Sequence, residues 1–301
     1  MRRHILDNPL SYYMIYLLAR FLPVYICHWI GKLVVLVVYA FSKKDREGLS
    51  RNLSVALNRL PNDPYIRKTV RQVFLNYGQY MADFFLIPQL PYSTVRTFFS
   101  AIKGEEVLQR ALAKGSGAIL LLAHLGNWEI GGSMLRAMDY PLGVVAMGHN
   151  SAATNVLVNR LRLDKGIKIF HVDGSLFSSI GILRYLRNNG IVAISGDKDF
   201  FDNGRPVTYF GKTVNFPLGP VVLAMNSGAD LIPAFVLKQP DGKYVGVLEE
   251  AIPIDLEGDR YEVIDKNLAK TARLFERYIR AYPDQWYCPD PIVDNCCQYY
   301  L

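Results

Sequence analysis

The sequence predicts an α/β fold: a mainly parallel central sheet covered by helices, with an N-terminal apolar helical membrane anchor. Three observations carry that prediction. From residue 117 onward, short apolar runs alternate with stretches whose apolar residues recur at helical spacing, the pattern of βαβ units. Residues 12–41 form one long apolar block. The length of 301 residues suits one large domain or a domain with a helical appendage. We therefore divide the chain into a membrane-anchoring segment, 1–44, and an α/β domain, 45–301.

In chain order, the apolar block is interrupted by Arg20, Pro23, His28 and Lys32, so it makes an imperfect span. Arg2 and Arg3 precede it, and Lys43, Lys44, Arg46 and Arg51 follow it, so the positive-inside rule draws both flanks to the cytoplasm. That pattern favours an interfacial or re-entrant helical pair broken at Pro23 over a simple span; a buried core helix is the bland alternative. The block is too long for a cleavable signal and lacks a small-residue cleavage site. Residues 46–60 and 63–86 read as helices, punctuated by Pro61, Pro64, Pro88 and Pro91. Within the second, Val73, Phe74, Tyr77, Tyr80, Met81 and Phe84 form an apolar stripe that suits either core packing or an acyl groove. Strands follow near 117–123, 142–147, 167–170, 190–195, 230–237 and 243–249. Helices are expected near 127–138, 151–164, 175–188, 217–227 and 260–281.

Half of the residues are hydrophobic, the net charge is +7, and mean hydropathy is +0.10 with a pI near 9.1. This balance points to a membrane and to anionic partners. The basic residues are scattered and no nucleic-acid motif accompanies them, so nucleic acid is not an expected partner. Cys27, Cys288, Cys296 and Cys297 lack paired zinc spacing and read as reduced thiols; the adjacent Cys296 and Cys297 invite lipidation near a membrane.

The chemistry is expected at His124-Leu125-Gly126-Asn127-Trp128-Glu129, directly after the apolar run at 118–123. A histidine at the rim of a sheet, with a carboxylate five residues on, suggests a general base and its orienter. Gly126 breaks the strand, Asn127 suits a helix N-cap, and Glu129 falls in the first turn, where the helix dipole favours an anion. In the same way Asp197 and Asp199 follow the strand at 191–196, Arg160 and Arg162 sit on the helix between, and Lys198 stands beside the acids. Asn127, Arg160, Arg162, Asp197 and Asp199 are therefore the candidate substrate-binding residues. Gly211-Lys212-Thr213 lacks the glycine spacing of a P-loop, and the acidic run 197–204 lacks the spacing and final glutamate of a calcium loop. Neither a G-x-S-x-G elbow nor a G-x-G-x-x-G turn occurs.

This H-x4-[DE] block, taken with later stretches, resembles the bacterial lipid A biosynthesis lauroyl/myristoyl acyltransferases and the related phosphatidylinositol mannoside acyltransferases, within the glycerolipid acyltransferase superfamily. The supporting blocks are Arg51-Asn52-Leu53, the stretch from 194 to 235 with Pro217-Leu218-Gly219-Pro220, and Tyr282-Pro283-Asp284-Gln285-Trp286. After the last block the chain departs from the family, running Cys288-Pro289-Asp290-Pro291 with neither Arg nor Lys as far as Leu301. The resemblance implies acyl transfer from acyl-carrier protein or coenzyme A thioesters to a hydroxyl of a lipid or glycolipid. His124 would be the base, Glu129 its orienter, and backbone N–H groups near Asn127, or Arg160 or Arg162, the oxyanion donors. It implies no metal or bound cofactor, and a catalytic domain on the cytoplasmic side of the cell (inner or plasma) membrane. The rival reading is a hydrolase that uses His124, Asp197 and Asp199 on a phosphorylated lipid.

Overall fold

In a computed structural model, residues 9–148, 151–172 and 176–292 are described. His149, Cys296 and Cys297 lie outside them, so the expected lipidation pair does too.

The apolar block makes two helices, α1 (Pro9–Phe21) and α2 (Val24–Phe41), which part at Pro23 as expected from its missing N–H. Next come α3 (Lys43–Leu57), closed by Asn58 in the left-handed region, and α4 (Pro64–Leu86), capped by Asp63 with proline in its first turn. After α5 (Tyr92–Thr97), a strand β1 (Phe99–Lys103) and α6 (Glu105–Ala113) lead into the alternating region. There the chain runs β2 (Ala118–Leu122), α7 (Trp128–Ala137), β3 (Leu142–Ala146), α8 (Ala152–Leu163), β4 (Lys168–His171), α9 (Leu176–Arg187) and β5 (Ile191–Ser195). A hairpin of β6 (Arg205–Tyr209) and β7 (Lys212–Phe216) follows, then α10 (Gly219–Ser227), β8 (Asp230–Lys238), β9 (Tyr244–Leu248) and α11 (Arg260–Ala281).

The main sheet has seven strands in the order β1-β9-β8-β2-β5-β3-β4. All its pairings are parallel except β8 with β9. β2 is central and buried on both faces. Ile119 and Leu121 enter a core with α3, α4, α10 and α11, while Ala118 and Leu120 enter another with α6 and β3. That two-sided burial explains why β2 reads as a continuous apolar run and not as an alternating one.

Three strands were absent from the sequence reading. β1 is short and half-exposed. In the hairpin, Pro206 disguises β6, and the turn at Phe210-Gly211 uses two positive φ values, 51° and 73°. Phe210 is an unusual residue there, and its N–H donates to Glu276 Oε1 at 2.5 Å, which fixes the turn.

α2 is tied to the domain and does not stand apart from it. It crosses α4 where Gly31 meets Gly78, and a Cβ on Gly31 would lie 2.6 Å from the Gly78 carbonyl oxygen. The other side of the pair stays exposed: Phe21, Tyr25, Trp29, Leu33, Val37 and Phe41 all face outward. α2 is long and apolar enough to cross a membrane, with mean hydropathy 1.9.

Candidate active site

The site lies at the C-terminal edge of β2 and β5, where parallel sheets place their ligands. Leu122 and Ser195 are registered across these strands. His124 and Asp197 each follow two residues later, so equal offsets bring them together. His124 Nδ1 and Asp197 Oδ1 are 2.7 Å apart, and Asp197 Oδ2 accepts the His124 backbone N–H at 2.8 Å. The carboxylate is buried, whereas 24 % of the imidazole side chain is accessible. Trp128 and Phe200 meet the ring edge to face. Burial disfavours the imidazolium, but the charge and hydrogen bond of Asp197 outweigh it, and the His124 pKa is raised.

The expected partnership of His124 with Glu129 is corrected by this geometry. Glu129 is the second residue of α7, and it forms an ion pair with Arg162 of α8; Arg162 Nε is also 3.3 Å from Glu129 Oε2. The left-handed turn at Gly126 redirects the chain between the two motif residues. A Cβ there would run into the Val236 carbonyl, so the motif needs glycine at this point.

The other candidates separate. Asn127 caps α7 by accepting from Ile130 N at 3.3 Å, and its amide donates to Asp83 and Tyr244, so its polar groups serve the fold. Asp199 accepts the N–H groups of Phe201 and Gly204 and shapes its own loop. Arg160 is exposed beside Asp164 on α8, and Arg162 is committed to Glu129. Asp197 alone among the candidates contacts His124.

Residues to which the sequence assigns no site role hold the loop from the other side. Leu125 bridges to Trp286, Gly126 N–H donates to Gln285 O at 3.0 Å, and Asn127 N–H donates to Val236 O at 2.9 Å. The Gln285 side chain in turn pairs with both backbone groups of Lys238. The segment after this block is anchored as well: Asn52 donates to Cys288 O and Asp290 O, and Lys198 pairs with Asp290. Burial, then the nearby Asp197 charge, pushes the Cys288 thiol up to about 12, so it is an inert packing group.

Beneath α7 lies a largely apolar cavity, open at its mouth. Leu120, Leu122, Met134, Leu142, Val144 and Phe235 line it, and the Glu129–Arg162 pair sits in its wall. Gly131 and Gly132 also line it and make room along α7. Trp128 lines both this cavity and a smaller one that His124 lines with Tyr77, Tyr80, Lys238 and Tyr287. Tyr77 and Tyr80 of the apolar stripe thus border the histidine, while Val73 and Phe74 enter the core.

Comparison with known proteins places the chain in a family. Residues 8–288 match the model of the family described as bacterial lipid A biosynthesis acyltransferase. The chain is 27 % identical over 248 residues to a phosphatidylinositol mannoside acyltransferase of Mycobacterium tuberculosis (strain ATCC 25618 / H37Rv), covering 82 % of this chain and 75 % of that protein. It is 26 % identical over 254 residues to one from Mycolicibacterium smegmatis (strain ATCC 700084 / mc(2)155), covering 84 % and 81 %. The resemblance borne by the histidine block therefore extends from α1 to the Trp286 segment, and the chain belongs to the bacterial lipid A biosynthesis acyltransferase family.

Proposed function

We propose that this lipid acyltransferase moves a fatty acyl chain from an acyl-carrier protein or coenzyme A thioester to a hydroxyl of a glycolipid at the membrane surface. The acceptor named for its relatives, a phosphatidylinositol mannoside, is the first to test. The observation that carries the mechanism is the 2.7 Å contact from His124 Nδ1 to Asp197. A carboxylate oxygen accepts, so Nδ1 carries the proton and Nε2 is the ring nitrogen left to take one.

An acceptor hydroxyl gives its proton to Nε2 as its oxygen bonds to the thioester carbonyl carbon. Asp197 stabilises the imidazolium that forms. When the tetrahedral intermediate collapses, the C–S bond breaks and the proton passes from Nε2 to the departing sulfur. The thioester is already activated, so neither a covalent acyl-enzyme nor a metal is required. With the N–H groups of Gly126 and Asn127 engaged, the remaining backbone donors for the oxyanion are those of Trp128 and Glu129 at the start of α7. The cavity under α7 receives the acyl chain, each buried methylene contributing about 0.8 kcal/mol. The exposed apolar faces of α1 and α2 rest in the interface on the cytoplasmic side, and the positive balance suits anionic lipid and an acidic carrier protein.

The test is transfer of a radiolabelled acyl group from either thioester into host lipids. Wild-type membranes should yield a labelled glycolipid with or without chelator. His124→Ala and Asp197→Asn should lower its rate by about 10²–10⁴-fold. Equal labelling by wild type and His124→Ala would remove the histidine from the chemistry.

A further inference from the structure

A second polar cluster touches the catalytic loop, and it begins on α2. His28 Nε2 donates to Asp83 Oδ1 of α4 at 2.6 Å. Asp83 is 1 % exposed, one of the most buried carboxylates in the protein. Its Oδ2 accepts from the Tyr244 hydroxyl of β9 at 2.5 Å and from Asn127 Nδ2 at 3.0 Å. Asn127 Nδ2 lies 3.1 Å from the Tyr244 oxygen as well, and Gln79 Nε2 approaches that oxygen at 3.4 Å. Asn127 Oδ1 completes the path by capping α7. An unbroken series of hydrogen bonds thus joins the apolar helix to a residue three positions from His124.

Burying a carboxylate is costly unless its lone pairs find donors, and here the donors come from three separate elements, α2, β9 and the start of α7. Each element must be seated for the others to be satisfied. The Gly31–Gly78 crossing holds α2 close enough for His28 to reach. We propose that His28 and Asp83 are positioning residues, through which α2 locks Asn127 and with it the His124 loop into its working geometry. This inference uses the acyl-transfer reading for its kinetic test, while its structural test stands apart from that reading.

The test compares His28→Met, which fills the space without a donor, with His28→Gln, which returns an N–H near the position of Nε2. Amide hydrogen exchange across 124–130 reads the clamp whatever the substrate. His28→Met should speed exchange there by about 10-fold and His28→Gln should restore it, the factor expected when one strong hydrogen bond is lost. In the transfer assay His28→Met should lower kcat by about 10-fold with KM for the thioester within about twofold, because geometry and not donor binding is disturbed. Vesicle binding should stay as in wild type. Tyr244→Phe should give the same signature, and the pair of substitutions should cost no more than the worse single one. Wild-type exchange at 124–130 in His28→Met, or effects of His28→Met and Tyr244→Phe that multiply, would overturn the clamp. Absence of acyl transfer in the wild type would count against the proposed reaction and leave the exchange result standing.

Discussion

At the scale of single residues, the site depends on which carboxylate holds His124. The motif invites Glu129, five residues on, but sequence distance misleads here because Gly126 takes a left-handed φ of 72° between them. What the sequence does disclose is that two neighbouring apolar strands both end in ionisable groups. Their register, Leu122 opposite Ser195, then turns that coincidence into a contact. Asp83 gave no signal at all, since a lone acid within an apolar helix looks like a surface residue until its partners are known. The direction of the His124 shift sets a pH prediction. A general base works only when neutral, so the rate should rise as pH climbs through a value above the ordinary 6.5. Asp197→Asn should move that limb downward, because burial alone then acts on the ring, whereas Glu129→Gln should leave the limb in place; a pH–rate profile of the three proteins checks this. Stability runs the other way. The pair's contribution is complete below the unfolded value near 6.5 and is lost as pH rises through the raised folded one.

At the scale of elements, α7 joins the His124 loop to the apolar cavity. Its first turn presents Trp128 and Glu129, and one turn further Gly131 and Gly132 open the apolar cavity. A Cβ at Gly132 would meet Leu142 and Ile167 at 3.4 and 3.5 Å, ordinary contact distances. Gly132→Leu should therefore fold, fill part of the cavity and shorten the preferred acyl chain by about two to four methylenes. With each methylene worth about 0.8 kcal/mol, selectivity against the longer chain should change by about tenfold or more. Competition between thioesters of different length reads this directly. Most elements were legible from periodicity because their buried faces are continuous. The hairpin escaped for the opposite reason: its turn uses Phe210 where glycine or asparagine is usual, and Glu276, distant in sequence, stabilises it.

At the scale of the whole molecule, apolar surface and charge act together. Phe21, Tyr25 and Trp29 are 78 %, 72 % and 65 % exposed, a costly arrangement in water and a favourable one in a bilayer interface. Each such ring contributes about 1.5–3 kcal/mol when buried. Phe21→Glu with Trp29→Glu should therefore lower partition onto anionic vesicles by more than about 100-fold, measured by co-sedimentation. Salt should weaken wild-type binding only in part, since the apolar share is not screened. The 1–44 and 45–301 division made from composition marks where the apolar block ends, but packing does not stop there, because α2 shares its Gly31 and His28 contacts with α4.

The contacts of Gln285 and Trp286 with Leu125 and Gly126 also order events in time. During synthesis at about 5–20 residues per second, the loop carrying His124 leaves the ribosome roughly 8–32 s before the segment that pins it. The greasy first helices emerge earlier still. For that interval the newborn chain carries the histidine loop without its strap, and the loop is pinned only once Gln285 and Trp286 have been made.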